Sequence, residues 1–268
     1  MVVDRRARIG LRVLALAYLS ALLLIPVAVV FYRTFQHGLG AVWSSVTTPA
    51  AVHAFWLTVE IALIAVPLNT VLGVITALAL VRGRFRGKAV LQAVIDLPFA
   101  ISPVVIGLAL VLVYGRTGWF GGWLADHGVQ VIFAVPGMVL ATIFVCLPFV
   151  VREVEPVLRE VGDEQEQAAA TLGASGWQTF WRITLPAIRW GVAYGVILST
   201  ARAIGEFGAV SVVSGKVAGE TVTMTLLVEN RFQNFDLAGA YAASALLALV
   251  ALATLLAMTL LRPRRDDA

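Results

Sequence analysis

Two charged residues, Arg202 and Glu206, lie in a block that is otherwise uncharged from residue 190 to residue 215. Residues four apart in a helix share a face, so these two side chains can form an ion pair. A charge at membrane depth costs about 2.5–3.5 kcal/mol on insertion scales and therefore normally faces a partner or a water-filled path. Two interpretations follow. In one, Arg202 lines an anion path or its gate and Glu206 holds it until the path opens. In the other, the pair is a permanent clamp at a subunit interface.

The long polar segment from 152 to 189 predicts a short helix in its first half. Asp163 precedes Glu166 by three residues, which is close to a capping box, and the acids there suit the positive end of the helix dipole. The alanines at 168–170 favour helix, and Gly173 suits the left-handed position that ends one. A run of alanines before a glycine turn presents a narrow surface that another protein could approach closely.

The second half of the segment predicts another short helix. Ser175 and Gln178 have the spacing of a capping box, and we expect Leu185-Pro186 to end the helix that they begin. Trp177 and Trp181 are four residues apart and share a face of it. They either anchor the segment at the lipid headgroups or support a contact with another protein.

Four small residues recur at every fourth position after this segment: Gly191, Gly195, Ser199 and Ala203. Small side chains at this spacing allow helix backbones to approach closely in a membrane. We interpret the row as a packing face, either within the chain or against a second subunit.

The elements that position these residues are predicted to be membrane helices. Of the 268 residues, 60% are hydrophobic and 13% are charged, whereas soluble domains carry about 25% charged residues. A spanning helix needs about 20 apolar residues, and every backbone polar group must be paired within the segment. The chain has no linker or internal repeat, so we predict one all-α transmembrane domain over 1–268 with about six spans, at 13–32, 61–81, 97–115, 128–151, 190–215 and 237–261.

The basic residues give the expected orientation of this bundle. Most of the 20 Lys and Arg residues lie in the N-terminal tail, the 82–88 loop, the 152–189 loop and the C-terminal tail. With six spans these four places share one side, which the positive-inside rule assigns to the cytoplasm. We therefore expect a multi-pass membrane protein with both termini cytoplasmic, and we attribute the net charge of +4 to topology rather than to nucleic-acid binding.

The residue pattern predicts no catalytic residue, no metal site and no cofactor in this chain. The three histidines lie outside the spans or at their ends, and Cys146 has no histidine in its own span. The glycine-rich stretch 83–89 has three residues between its glycines and no Ser or Thr after its lysine, so it is not a phosphate-binding Walker A loop. An intramembrane enzyme and an ATP-independent transporter or channel remain alternative classes, which co-purification with an ATPase would separate.

The polar segment resembles the coupling loop, or EAA loop, of bacterial ABC importer permeases. Gln167-Ala168-Ala169 is followed after three residues by Gly173, and after nine more by Ile183-Thr184-Leu185-Pro186, which is the family's spacing. The departure is Gln167, which occupies the family's glutamate position, with Glu166 just before it. The resemblance implies the MetI-like permease fold and a place in the bacterial plasma (inner) membrane. It also implies that 163–186 docks into a cleft of a separate ATPase subunit, which binds ATP and Mg.

A narrower resemblance covers about half of the chain. The stretches at 96–103, 147–153, 172–178 and 201–215 are similar to sulfate/thiosulfate permeases, in particular the CysW-type subunit. The resemblance implies a second permease chain of the CysT type, a dimer of CysA-type ATPases and an extracytoplasmic sulfate-binding protein. Molybdate permeases share the stretch 202–208, so molybdate or tungstate import is the alternative function.

Overall fold

The computed structural model describes residues 5–36 and 38–260, and within these ranges all regular secondary structure is helical. A π-helical turn, Phe180–Thr184, joins α9 to α10. The helices are α1 (Arg5–Phe35), α2 (Gly38–Val46), α3 (Pro49–Val81), α4 (Lys88–Ala100), α5 (Pro103–Tyr114), α6 (Gly121–Asp126), α7 (Val135–Val161), α8 (Glu164–Thr171), α9 (Gly176–Thr179), α10 (Leu185–Ile204), α11 (Gly208–Val213), α12 (Met224–Gln233) and α13 (Leu237–Leu260).

Five helical segments are long and apolar enough to cross a membrane: α1, α3, α7, the continuous segment from α9 to α10, and α13. The helices α4 and α5 are apolar enough only when they are taken together, and a bend of 114° separates them, as in a broken span or a re-entrant loop. The predicted third span at 97–115 is therefore divided between α4 and α5. Pro103 begins α5, and the preceding Ser102 is extended with ψ 135°, because a proline ring excludes the helical conformation from the residue before it.

The predicted span at 190–215 is also interrupted. α10 ends at Ile204, and the chain leaves the helix through Gly205 before α11 begins at Gly208. Glu206 lies in this break, so Arg202 and Glu206 are not on one continuous helix as the sequence predicted. The break places Glu206 where its side chain reaches the start of α11.

The boundaries of the polar segment differ from the prediction at both ends. Residues 152–161 belong to α7, and 185–189 belong to the first turn of α10. Leu185-Pro186 does not end a helix, although proline lacks the N–H that an α-helix needs. The π-turn before it has a wider repeat, in which the Leu185 N–H donates to Phe180 O, and this local widening accommodates Pro186 in a continuous helix.

The core of the bundle is the contact of α7 with α3 and α10. Val150 of α7 is fully buried between them. A Cβ at Gly73 of α3 would lie 2.6 Å from the Val150 Cβ, so only glycine permits this approach. At the periphery, α1 packs on α13 and α2, and its apolar side chains, such as Leu14 at 67%, are exposed as expected for contact with lipid.

The bent pair α4 and α5 is attached to α7 by a polar and aromatic contact. Arg152 Nη2 is 2.8 Å from Asp96 Oδ1, and the Arg152 guanidinium lies 4.3 Å from the centroid of the Phe99 ring. Phe99 in turn packs edge-on against Phe149, with the ring centroids 5.5 Å apart. This contact fixes α4 against the core helix just before the bend.

Candidate functional site

Arg202 and Glu206 form an ion pair across the end of α10. The Glu206 side chain is almost completely buried, whereas 30% of the Arg202 side chain is exposed. The second Glu206 oxygen, Oε1, accepts a hydrogen bond of 2.9 Å from the N–H of Ala209 in the first turn of α11. Glu206 therefore connects α10 to α11, while Arg202 extends from the pair towards a surface.

Threonine side chains lie close to Glu206. Thr225 Oγ1 donates to the Glu206 backbone oxygen at 2.7 Å, and Thr58 Oγ1 accepts from the Met224 N–H at 2.9 Å. These contacts join α3 and α12 to the break between α10 and α11. Glu206 thus has a clear structural role within the chain, and the exposed part of Arg202 remains available to a second subunit or to a path.

The turn between α8 and α9 is built by local sequence signals. Gly173 has φ +83°, its N–H donates to Ala170 O, and the N–H of Ala174 donates to Ala169 O, both at 3.0 Å. This is a Schellman motif, which requires the left-handed conformation that glycine adopts without strain. Among the residues that the structure describes, no atom lies within 4 Å of a Cβ built at Gly173, so this turn is open to its surroundings.

Ser175 and Gln178 form the capping box that their spacing predicts. Ser175 Oγ accepts from the Gln178 N–H at 3.3 Å, and Gln178 Oε1 accepts from the Ser175 N–H at 2.9 Å. The other predicted box does not form, because the side chain of Asp163 makes no capping hydrogen bond. Its backbone oxygen accepts from the Gln167 N–H instead, at 2.9 Å.

Large apolar side chains are exposed around this turn. The exposed fraction is 88% for Leu172, 70% for Trp177 and 51% for Trp181. The centroids of the two tryptophan rings are 5.5 Å apart, and the rings pack edge to face, which fixes their relative orientation. We call the exposed face the α8–α9 surface and define it as Gln167, Ala168, Leu172, Gly173, Trp177 and Trp181.

The remaining residues of the predicted coupling motif do not belong to this surface. Ala169 is buried, and Ile183 and Leu185 are half-buried against the chain's own helices. Pro186 is exposed in the first turn of α10. Glu166 points inwards, away from the exposed Gln167, so it does not replace the charge that the family pattern has at the position of Gln167.

Glu166 is held by two residues that the sequence did not single out. Its Oε2 is 2.9 Å from Arg82 Nε, and its Oε1 accepts from Thr184 Oγ1 at 2.8 Å. Arg82 is 84 positions away in sequence and was interpreted only as a basic residue of a short loop. The only sequence signal for Arg82 is its position directly after an apolar span, and this position does not indicate that Glu166 is its partner.

The row of small residues faces the chain's own α7. All four are buried, and a Cβ at Gly191 would lie 2.8 Å from Glu153 O, while one at Gly195 would lie 2.9 Å from Val150 Cα. The row therefore brings α10 and α7 into backbone contact within one subunit. Within residues 5–36 and 38–260, no cluster of three metal-ligating side chains is present.

Comparison with known proteins was made on the sequence and on the fold. The family model described as "Binding-protein-dependent transport system inner membrane component" matches residues 69–267. The sulfate transport system permease protein CysW of Synechocystis sp. is 53% identical over 251 residues, covering 94% of this chain and 91% of that protein. CysW of Escherichia coli K12 is 49% identical over 259 residues, covering 97% and 88%.

The fold matches a solved structure at low sequence identity. The crystal structure of a bacterial alginate ABC transporter in complex with an alginate-bound periplasmic protein contains a chain with a TM-score of 0.79 and 18% identity, covering 98% of this chain and 97% of that one. This similarity concerns the fold alone. Together with the family match, it confirms the predicted all-α importer-permease fold.

Proposed function

The chain belongs to the family of binding-protein-dependent transport system inner membrane components, and from this premise we propose that it is the CysW-type permease of an ATP-driven sulfate importer. As a member of this family it is a multi-pass inner-membrane permease subunit, and ATP hydrolysis is carried out by a partner subunit. The observation that carries sulfate as the substrate is the 53% identity to a sulfate permease over 94% of the chain. Thiosulfate is a second oxyanion of the same shape and charge that this proposal includes.

The α8–α9 surface is the proposed contact with the ATPase. Leu172, Trp177 and Trp181 expose apolar area next to an open glycine turn, and exposed patches of this kind mark protein interaction sites. Ala168 leaves room for close approach, and Gln167 offers a neutral hydrogen-bonding group where the family has a glutamate. In this proposal the ATPase subunit binds ATP and Mg, and its movement is transmitted to this chain through the α8–α9 surface.

The proposed assembly contains a CysT-type permease chain, two CysA-type ATPase subunits and an extracytoplasmic sulfate-binding protein. The resemblance in the coupling segment and the 201–215 stretch supports this set of partners. Both termini and the α8–α9 surface lie on the cytoplasmic side in this proposal, because the basic residues concentrate there.

Transport follows from the coupling of two distant sites. The binding protein delivers sulfate to the outer loops, and ATP binding closes the ATPase dimer. The α8–α9 surface carries this movement into the spans, which then alternate between outward-facing and inward-facing arrangements. In the pathway interpretation of the ion pair, Arg202 attracts the anion during this sequence of events.

Stimulation of ATP hydrolysis by individual anions tests the proposed substrate. We expect the complex reconstituted in vesicles, with its binding protein, to hydrolyse ATP about tenfold faster with sulfate than without, a change equivalent to about 1.4 kcal/mol. Molybdate and tungstate at the same concentration serve as matched oxyanions. Stimulation by molybdate or tungstate and not by sulfate would replace the proposal with the alternative function.

A further inference from the structure

Arg82 lies at the junction of three helices. It follows the last residue of α3, and its Nε is 2.9 Å from Glu166 Oε2 in the first turn of α8. Its Nη1 donates to Leu158 O at 3.2 Å, and its Nη2 donates to Gly162 O. A guanidinium presents five N–H donors in a rigid planar fork, so one side chain can hold a carboxylate and two carbonyls together.

The two carbonyls lie at the C-terminal end of α7. The last four C=O groups of an α-helix have no intrahelical donor, and a cation there also interacts favourably with the helix dipole. Leu158 is in the last turn of α7, which ends at Val161, and Gly162 follows it. Arg82 therefore caps α7 from the end of α3.

Glu166 extends this junction to a fourth helix. Its Oε1 accepts a hydrogen bond of 2.8 Å from Thr184, which is buried in the π-turn directly before α10. The contacts of Glu166 with Arg82 and Thr184 are both direct, at 2.9 and 2.8 Å, with no intervening group.

We propose that Arg82 is the positioning residue through which movement of α8 reaches the spans. The junction of Arg82, Glu166 and Thr184 ties α8 to the ends of α3 and α7 and to the start of α10, which are the helices of the core. A displacement of α8 by the ATPase thus moves the three core helices α3, α7 and α10 together. This inference rests on the proposed function, because it requires that the α8–α9 surface contacts an ATPase.

The experiment measures sulfate uptake per ATP hydrolysed in vesicles containing the complete complex and its binding protein. With Arg82→Gln we expect this ratio to fall at least about fivefold, the lower end of an allosteric coupling between two sites, while basal ATP hydrolysis persists. Glu166→Gln removes the charge and replaces one of the two acceptor oxygens with an NH2 group, and we expect a fall in the same direction. A variant that only lowers the amount of folded complex reduces uptake and hydrolysis together and leaves the ratio unchanged.

Arg231→Gln is the matched control at the other end of α3. Arg231 also binds two backbone carbonyls, of Gly239 at 3.1 Å and Ser45 at 3.0 Å, and it contacts Thr48, which caps the start of α3. We expect this variant to lower thermal stability without changing the ratio.

The outcomes separate the two proposals. If the wild-type complex takes up no sulfate and its ATP hydrolysis does not respond to sulfate, the proposed function is refuted. A normal wild-type ratio that is retained in Arg82→Gln would overturn the role of Arg82 alone. If Arg82→Gln prevents assembly of the complex, the result with Glu166→Gln decides, and an unchanged ratio in that variant would equally overturn the inference.

Discussion

Replacing Gly173 with arginine is expected to uncouple ATP hydrolysis from sulfate uptake. The side chain would project from the open turn of the α8–α9 surface into the space proposed for the ATPase, and no described atom lies within 4 Å of its Cβ position. A clash that weakens docking of the ATPase by about 1.4 kcal/mol reduces the docked fraction about tenfold. We expect uptake and sulfate-stimulated hydrolysis to fall by at least this factor. Both rates are measured in vesicles containing equal amounts of the permease.

The backbone cost of this substitution must be separated from the clash. Gly173 has φ +83°, and a non-glycine residue there costs roughly 1–2 kcal/mol whatever its side chain does. Gly219 has φ +80°, is exposed and also has no atom within 4 Å of a Cβ. Because Gly219 lies in the loop before α12, Gly219→Arg carries the same strain away from the α8–α9 surface. Normal sulfate-stimulated hydrolysis in Gly173→Arg would count against the proposed ATPase contact.

Replacing Arg202 with alanine is expected to destabilise the permease strongly. The Glu206 carboxylate would remain buried without its partner, and removing one member of a buried pair costs about 3–5 kcal/mol. We expect a lower temperature of thermal unfolding of the complex in detergent, and a reduced amount of assembled complex. Full stability together with full uptake in Arg202→Ala would contradict both interpretations of the pair.

A double variant distinguishes the clamp from the anion path. Arg202→Met with Glu206→Gln removes both charges and keeps an oxygen that can accept from the Ala209 N–H. If the pair is only a clamp, the double variant recovers stability and uptake together. If Arg202 lines the path, the double variant recovers stability and remains deficient in sulfate uptake. Recovery of uptake would therefore end the path hypothesis.

The features that could be predicted from sequence are those set by local physical chemistry. Uncharged blocks long enough to span a bilayer predicted the membrane helices, and the Ser175 box and the left-handed Gly173 followed from spacing alone. These signals succeed because a cap or a turn is decided within a few residues. The predicted box at Asp163 failed, because its side chain makes no capping bond and Glu166, its supposed counterpart, is bound elsewhere.

The features that could not be predicted depend on contacts between distant segments. A proline within an apolar run is compatible with a kink, a straight helix or a break, and the 114° bend before Pro103 is set by how α4 and α5 pack against α7 and α11. The continuity of the helix through Pro186 depends on a π-turn that has no sequence signature here. Arg82 and Glu166 are separated by 84 positions, and no local pattern pairs them.

The central claim is that the α8–α9 surface lies on the cytoplasmic side and is covered by an ATPase, and cysteine labelling tests it directly. Cys146, the chain's single cysteine, is fully buried, so Leu172→Cys adds one accessible thiol at a position that is 88% exposed. With a membrane-impermeant maleimide, we predict labelling in inside-out vesicles stripped of the ATPase, and protection when the ATPase is restored. Labelling from the outside of intact cells, or labelling that the assembled ATPase does not reduce, would contradict the claim.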